Sequence, residues 1–144
     1  MGYTHYWEGQ RSCTDMEWQR IRAAVLQLLG NNQDIPVVWE SDCDGVKHQR
    51  KVPEISRRLI RFNGPGDEGF ETFLVDRVEP SFAFCKTGRL PYDALVVATL
   101  TLMEHYAAGA WRYKTDGEGV ELDEGLMLAA DVVGVGVKSP FTNW

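Results

Sequence analysis

From Ile35 to Lys86 the chain runs through short β-type segments joined by connections too short to hold a crossover, and this constrains the fold more than any other feature. Parallel neighbours need about a dozen or more connecting residues, usually a helix. The run therefore excludes a doubly wound parallel sheet and predicts an antiparallel sheet with helices packed on it, an α+β fold. The β-branched and aromatic stretch Ile35-Pro-Val-Val-Trp39 predicts a strand over residues 36–40, with Asp44-Gly45 as a turn. Residues 42–54, which include Lys47, His48, Arg50 and Lys51, show no period and read as a loop or ragged hairpin. Residues 58–63 and 70–75 alternate in polarity around Gly64-Pro-Gly-Asp-Glu-Gly69, a hairpin connection, and residues 81–86 make a further strand.

Helical periods bracket this β region. Thr14-Asp-Met-Glu17 has capping-box spacing, and Trp18, Ile21, Val25, Leu28 and Leu29 follow at helical intervals, with Gly30 as the expected stop. A second helix is predicted from Tyr92 or Asp93 to about residue 106. It is apolar nearly all round through Leu95, Val96, Val97, Leu100, Leu102 and Met103, the pattern of a core helix. An aromatic strand opens the chain at residues 3–8, with Tyr3, His5 and Trp7 on one face and Thr4 and Tyr6 on the other. A strand at 111–114, a turn at Asp116-Gly117 and a helix over 122–133 complete the order β-α-β-β-β-β-α-β-α.

A length of 144 residues suits one domain, which buries roughly two thirds of its unfolded surface. The formal net charge of −6 and the scattered basic residues argue against duplex nucleic acid, whose binding needs a basic footprint; a local basic pocket stays compatible with that charge. Cys13, Cys43 and Cys85 are an odd number at wide spacing, which suits reduced thiols in a cytoplasm. The first residues show neither the basic nor the apolar region of a signal peptide, and the apolar stretch from Leu95 to Met103 is short of the ~20 residues that cross a bilayer. The expectation is a cytoplasmic location with no membrane partner; homo-oligomerisation stays open.

The segment Phe84-Cys-Lys-Thr-Gly-Arg-Leu-Pro-Tyr-Asp93 places Lys86, Thr87 and Arg89 between a strand end and a helix N-terminus, where free backbone N–H groups favour an anion. It lacks the glycine and spacer of a P-loop. The simpler reading is a strand-to-helix turn with Asp93 as N-cap. Cys85 and Lys86 fall on opposite faces of their strand, so Cys85 reads as a buried, inert thiol. His5, His48 and His105 share no metal-ligand spacing with one another or with a cysteine, so no metal and no cofactor is expected. Glu40, Asp42, Asp44 and Gly45 begin like a calcium loop, yet Lys51 stands where the bidentate glutamate belongs.

The phrases Met1-Gly-Tyr-Thr-His-Tyr-Trp7, Phe62-Asn-Gly64, Glu71-Thr-Phe73, Phe84-Cys-Lys-Thr87 and Pro91-Tyr-Asp93 resemble a family of bacteriophage and bacterial proteins of uncharacterised activity. The resemblance implies a phage or prophage origin and a site assembled from Tyr3, His5, Tyr6, Asn63, Glu71, Lys86, Thr87, Tyr92 and Asp93; it assigns no role to Gly88 or Arg89. Such residues hydrogen-bond, stack and titrate, which suits a pocket. The leading expectation is a small-ligand-binding protein that sequesters a nucleotide-like or other anionic signal in counter-defence. Two alternatives stand beside it: a hydrolase of a phosphoester or amide using His5 with Glu71 or Asp93, and an inhibitor presenting an acidic and aromatic surface to a host protein.

Overall fold

The first helix shows most directly how local sequence becomes structure. In the computed structural model, which describes residues 3–41, 51–77 and 81–142, α1 spans Asp15–Asn31 and opens with the full capping box: the Thr14 hydroxyl accepts from the Glu17 N–H, and the Glu17 carboxylate accepts from the Thr14 N–H. Arg11 grips the same carboxylate with two bonds of 2.9 Å. These contacts hold the Glu17 carboxyl down at about 2, from an ordinary value of 4.5, the Arg11 bonds contributing most. A carboxylate with a depressed folded pKa stabilises fully above its unfolded pKa and loses that contribution as the pH falls through the folded one. Glu17→Gln should therefore flatten the acid end of the stability curve between about pH 4.5 and about 2. Urea titrations at intervals across that window check this; the effect is modest, because the pair is partly solvent-screened. Gly30 does not stop the helix. Asn32 does, its side chain donating to the Leu28 carbonyl at 2.8 Å and meeting the last-turn orphan oxygens that a glycine cap would have met.

The fold is α+β, but its strands divide into two three-stranded antiparallel sheets instead of the single sheet expected. Strand β1 (Thr4–Gly9) lies between β5 (Phe82–Lys86) and β6 (Trp111–Thr115), while β3 (Leu59–Phe62) lies between β2 (Glu54–Ile55) and β4 (Phe73–Asp76). The sheets meet without merging at Glu71. Its N–H donates to the Lys86 carbonyl at 3.1 Å and its carboxylate accepts from the Lys86 N–H at 2.7 Å, so one residue engages the edge of β5 there. The expected strand over 36–40 is reduced to a single bridge between Val38 and Asn63, with Pro36 unable to donate to a ladder. In its place Glu54, expected at the end of a loop, and Ile55 pair with Arg61 and Ile60. The expected strand over 70–75 begins only at Phe73, because residues 63–72 form a connection with one 3-10 turn at Gly66–Glu68. The Asp44-Gly45 turn, Cys43, His48 and most of the calcium-like loop lie outside the described residues.

Helix α2 (Asp93–Tyr106) is the centre of the core, with every residue from Asp93 to Met103 buried. It packs against both α1 and α3 (Val120–Val133), which also touch each other. The approach to α3 is close enough that a Cβ at Gly125 would stand 2.5 Å from the Val97 side chain, so only glycine fits between these backbones. The helices cover the face of the first sheet that carries Trp7, Cys85, Trp111 and Tyr113, all buried. Among the described residues no helix is long and apolar enough to cross a membrane.

Candidate functional site

Alternation along β1 sends Tyr3 and His5 to the core side, and the strand-to-helix connection brings Thr87 and Asp93 up to meet them. His5 Nε2 lies 2.6 Å from Asp93 Oδ1, and the Thr87 hydroxyl donates to the same oxygen at 2.6 Å. The other ring nitrogen, Nδ1, is 2.8 Å from the Thr115 hydroxyl, which also accepts the Gly117 N–H at 2.9 Å. The accounting closes with the His5 proton on Nε2, donated to Asp93, and with Thr115 donating to Nδ1. His5 and Thr87 are fully buried, whereas the Asp93 side chain keeps 12% of its surface exposed. Asp93 and the half-buried Thr115 are thus the members of this cluster that reach solvent. The Tyr3 phenol also faces the Asp93 carboxylate, without a well-formed bond to it.

Asp93 forms part of the wall of a cleft of about 220 Å³, together with Tyr3, Arg89, Pro91, Glu121 and Glu124. The Tyr3 ring stands edge-on to His5 at 5.1 Å and is covered by the Arg89 guanidinium, 4.2 Å from its centroid. Its hydroxyl is buried against Gly117, where a Cβ would come within 2.7 Å, and it makes no well-formed hydrogen bond among the described residues. Burial, with the negative charges of Asp93 and Glu121, holds the Tyr3 phenol protonated far above its ordinary range. Arg89 carries a backbone φ of 59°, the left-handed region that a long side chain rarely enters. It bonds Glu121 at 2.5 Å and lowers that carboxyl in turn. Strain of this kind persists only where surrounding contacts over-determine it.

The sequence-derived site divides into three groups. Tyr3, His5, Thr87 and Asp93 come together as described. Asn63, Glu71, Lys86 and Tyr92 serve the junction of the sheets. Asn63 takes the N–H groups of Gly64 and Phe70 on its carbonyl and donates to Phe70 and Thr72, while Tyr92, fully buried, donates to the Glu71 carbonyl at 2.6 Å. Glu71 therefore does not partner His5; its carboxylate is spent on a backbone N–H. Tyr6 lies on the opposite face of the sheet, its hydroxyl 3.2 Å from Asp116. Cys85 is buried and its thiol is pushed up to about 12, chiefly by desolvation, as an inert core thiol should be.

The segment from Lys86 to Asp93 does not converge on a bound anion. The Thr87 hydroxyl is directed into Asp93, the Asp93 carboxylate itself stands in the first turn of α2, and Arg89 is paired with Glu121. Nor is Asp93 an N-cap: Tyr92 holds that position with no side-chain cap, and Asp93 is the first helical residue. Thr115, Glu121 and Glu124 were missed, and Arg89 was weighed only for an anion site between strand and helix. Thr115 and Glu121 lie on β6 and α3, and nothing local in those segments marks them as facing β1. Among the described residues no group of three or more His, Cys, Asp or Glu is placed to hold a metal ion. In comparisons with known proteins the chain matches no family model, no curated protein and no solved structure, so its chemistry rests on the geometry of its own residues.

Proposed function

We propose that this chain binds a small nucleotide-like ligand in the Asp93 cleft, engaging it through a planar, donor-bearing base. The observation that carries the reading is the Asp93 carboxylate, partly open to solvent and held at the cleft wall by His5 and Thr87 beside a guanidinium in a strained, over-determined conformation. A carboxylate accepts amino and imino hydrogens of a base edge, and an Arg plane stacks on a base face. With Asp93, Glu121 and Glu124 against Arg89 alone, the lining is net acidic, so the cleft favours the base, and a phosphate on the same ligand would face solvent. Binding without turnover suits the sealed histidine: His5 has both ring nitrogens engaged and no exposed surface from which to take a substrate proton. That is the behaviour a sequestering protein needs.

The test uses nucleosides, which carry no phosphate, with thermal shift and calorimetry as readouts. Adenosine, guanosine and cytidine, whose bases bear amino groups, should stabilise the protein more than uridine. Arg89→Gly should weaken that binding by about tenfold or more. It should leave the ligand-free stability within about 1 kcal/mol, because glycine relieves the left-handed strain while adding chain entropy. Equal binding by this variant, or no binding of any nucleoside by the wild type, rejects the cleft; appearance of a cleaved product would move the reading to a hydrolase. In the former case the outer face of the first sheet, where Phe82 and Phe84 are about half exposed beside Tyr6, becomes the leading surface and a protein partner the leading ligand.

A further inference from the structure

A second concave site lies at the junction of α1 with the second sheet, far smaller than an organic ligand needs. Its volume of about 90 Å³ is lined by Asp15, Trp18, Gln19, Arg22, Arg57 and Arg77. That is room for about three waters, the space of one tetrahedral oxyanion. Three guanidinium groups face it against a single carboxylate, in a chain whose net charge is −6.

Each arginine arrives by a different route, and none is fully used. Arg22, about two turns into α1, spends Nε and one terminal nitrogen on the Ile55 carbonyl, at 3.2 and 3.0 Å. Arg77, after β4, uses one terminal nitrogen on Asp15 and on the Cys13 carbonyl. Arg57, in the β2–β3 connection, is exposed and makes no hydrogen bond to any described residue. A guanidinium has five N–H donors in a fixed fork, so each of the three keeps donors for an incoming oxyanion. Three like charges on one concavity repel one another unless an anion sits between them, and the positive end of α1, which Asp15 opens, adds to the same field. Asp15 is the partial neutraliser already in place. Both Arg77 and Arg57 act to lower its carboxyl, yet its side chain is 87% exposed, so it can swing out and yield Arg77.

We propose that Arg22, Arg57 and Arg77 form a binding site for a phosphate group, presented either as free phosphate or as a phosphate monoester whose remainder lies in solvent. Nothing in the site activates a nucleophile, and the proposal includes no chemistry beyond binding.

Calorimetric titration of the full chain with inorganic phosphate and with phosphoserine tests it. Both should bind at low salt and weaken as salt rises, since the contacts are charge pairs near the surface. Similar affinities would identify the phosphate group alone as the ligand; tighter phosphoserine binding would place an ester in the mouth, and either result supports the site. Arg57→Ala should weaken phosphate by about tenfold or more while leaving the ligand-free melting temperature and nucleoside binding at the Asp93 cleft unchanged. Asp15→Asn should do the opposite and tighten phosphate, because the competing carboxylate is gone and Arg77 is released. Failure of the wild type to bind either probe, or unchanged binding in Arg57→Ala, overturns the proposal without touching the cleft.

Discussion

Leu100→Ala is expected to cost about 2–5 kcal/mol of folding stability, the range for emptying a fully buried leucine position, where lost transfer energy and the residual cavity add. Leu100 has no exposed surface and lies mid-way along α2, whose residues from Asp93 to Met103 are all buried. The helix packs on α1 and α3 within the shared apolar cluster, so the walls of a new cavity belong to separate elements. They cannot all collapse into it, which places the cost in the upper part of the range. In a domain of this size the melting temperature should fall by roughly 10 °C. Met127→Ala on α3, at a side chain 60% exposed, is the control and should change little. A Leu100→Ala protein that melts with the wild type would remove α2 from the centre of the core.

Asp93→Ala should be comparably damaging for a different reason. Removing the carboxylate leaves His5 Nε2 and the Thr87 hydroxyl without the acceptor they share, and both side chains are fully buried. An unsatisfied buried polar group costs about 1–3 kcal/mol, so the two together amount to about 2–6 kcal/mol. Asp93→Asn keeps one acceptor oxygen and should lose less. The coupling is measurable by a double-mutant cycle with Thr87→Val, which removes the hydroxyl and keeps the shape. Thr87→Val in the Asp93→Ala background should cost much less than in the wild type, because the hydroxyl has already lost its partner. Additive effects would mean that the bond contributes nothing, and the cluster would then not be what holds Asp93 at the cleft wall.

Local patterns carried the helices and the side-chain faces of the first strand. The capping box at Thr14 and Glu17 formed as its spacing requires, because both partners lie within one turn and need nothing distant. The alternation of Tyr3, His5 and Trp7 against Thr4 and Tyr6 was legible for the same reason: a strand has period two wherever it sits. The pattern was silent or misleading where a segment takes its state from a distant partner. Residues 36–40 have strong β character and form only one bridge, while Glu54, a poor strand former, pairs with β3 beside Ile55. Propensity reports how a side chain suits a pleated surface, and not whether a neighbouring edge is open to receive it.

The site divides along the same line. The resemblance implied a site that includes Tyr3, His5, Thr87 and Asp93, and these four meet in the fold because buried titratable and hydrogen-bonding groups are costly unless they satisfy one another. The sequence by itself determined the α+β class and the core helix. Only the tertiary structure decided that the strands form two sheets, that Glu71 and Lys86 are spent at their junction, and that Arg89 from a strained turn and Glu121 from the last helix complete the cleft. The same holds for the arginine site, whose members Arg22, Arg57 and Arg77 lie on α1, a β connection and the end of β4. The physical reason is that local spacing encodes period and cap, whereas which edge, face or charge meets which is set by packing among elements far apart in the chain.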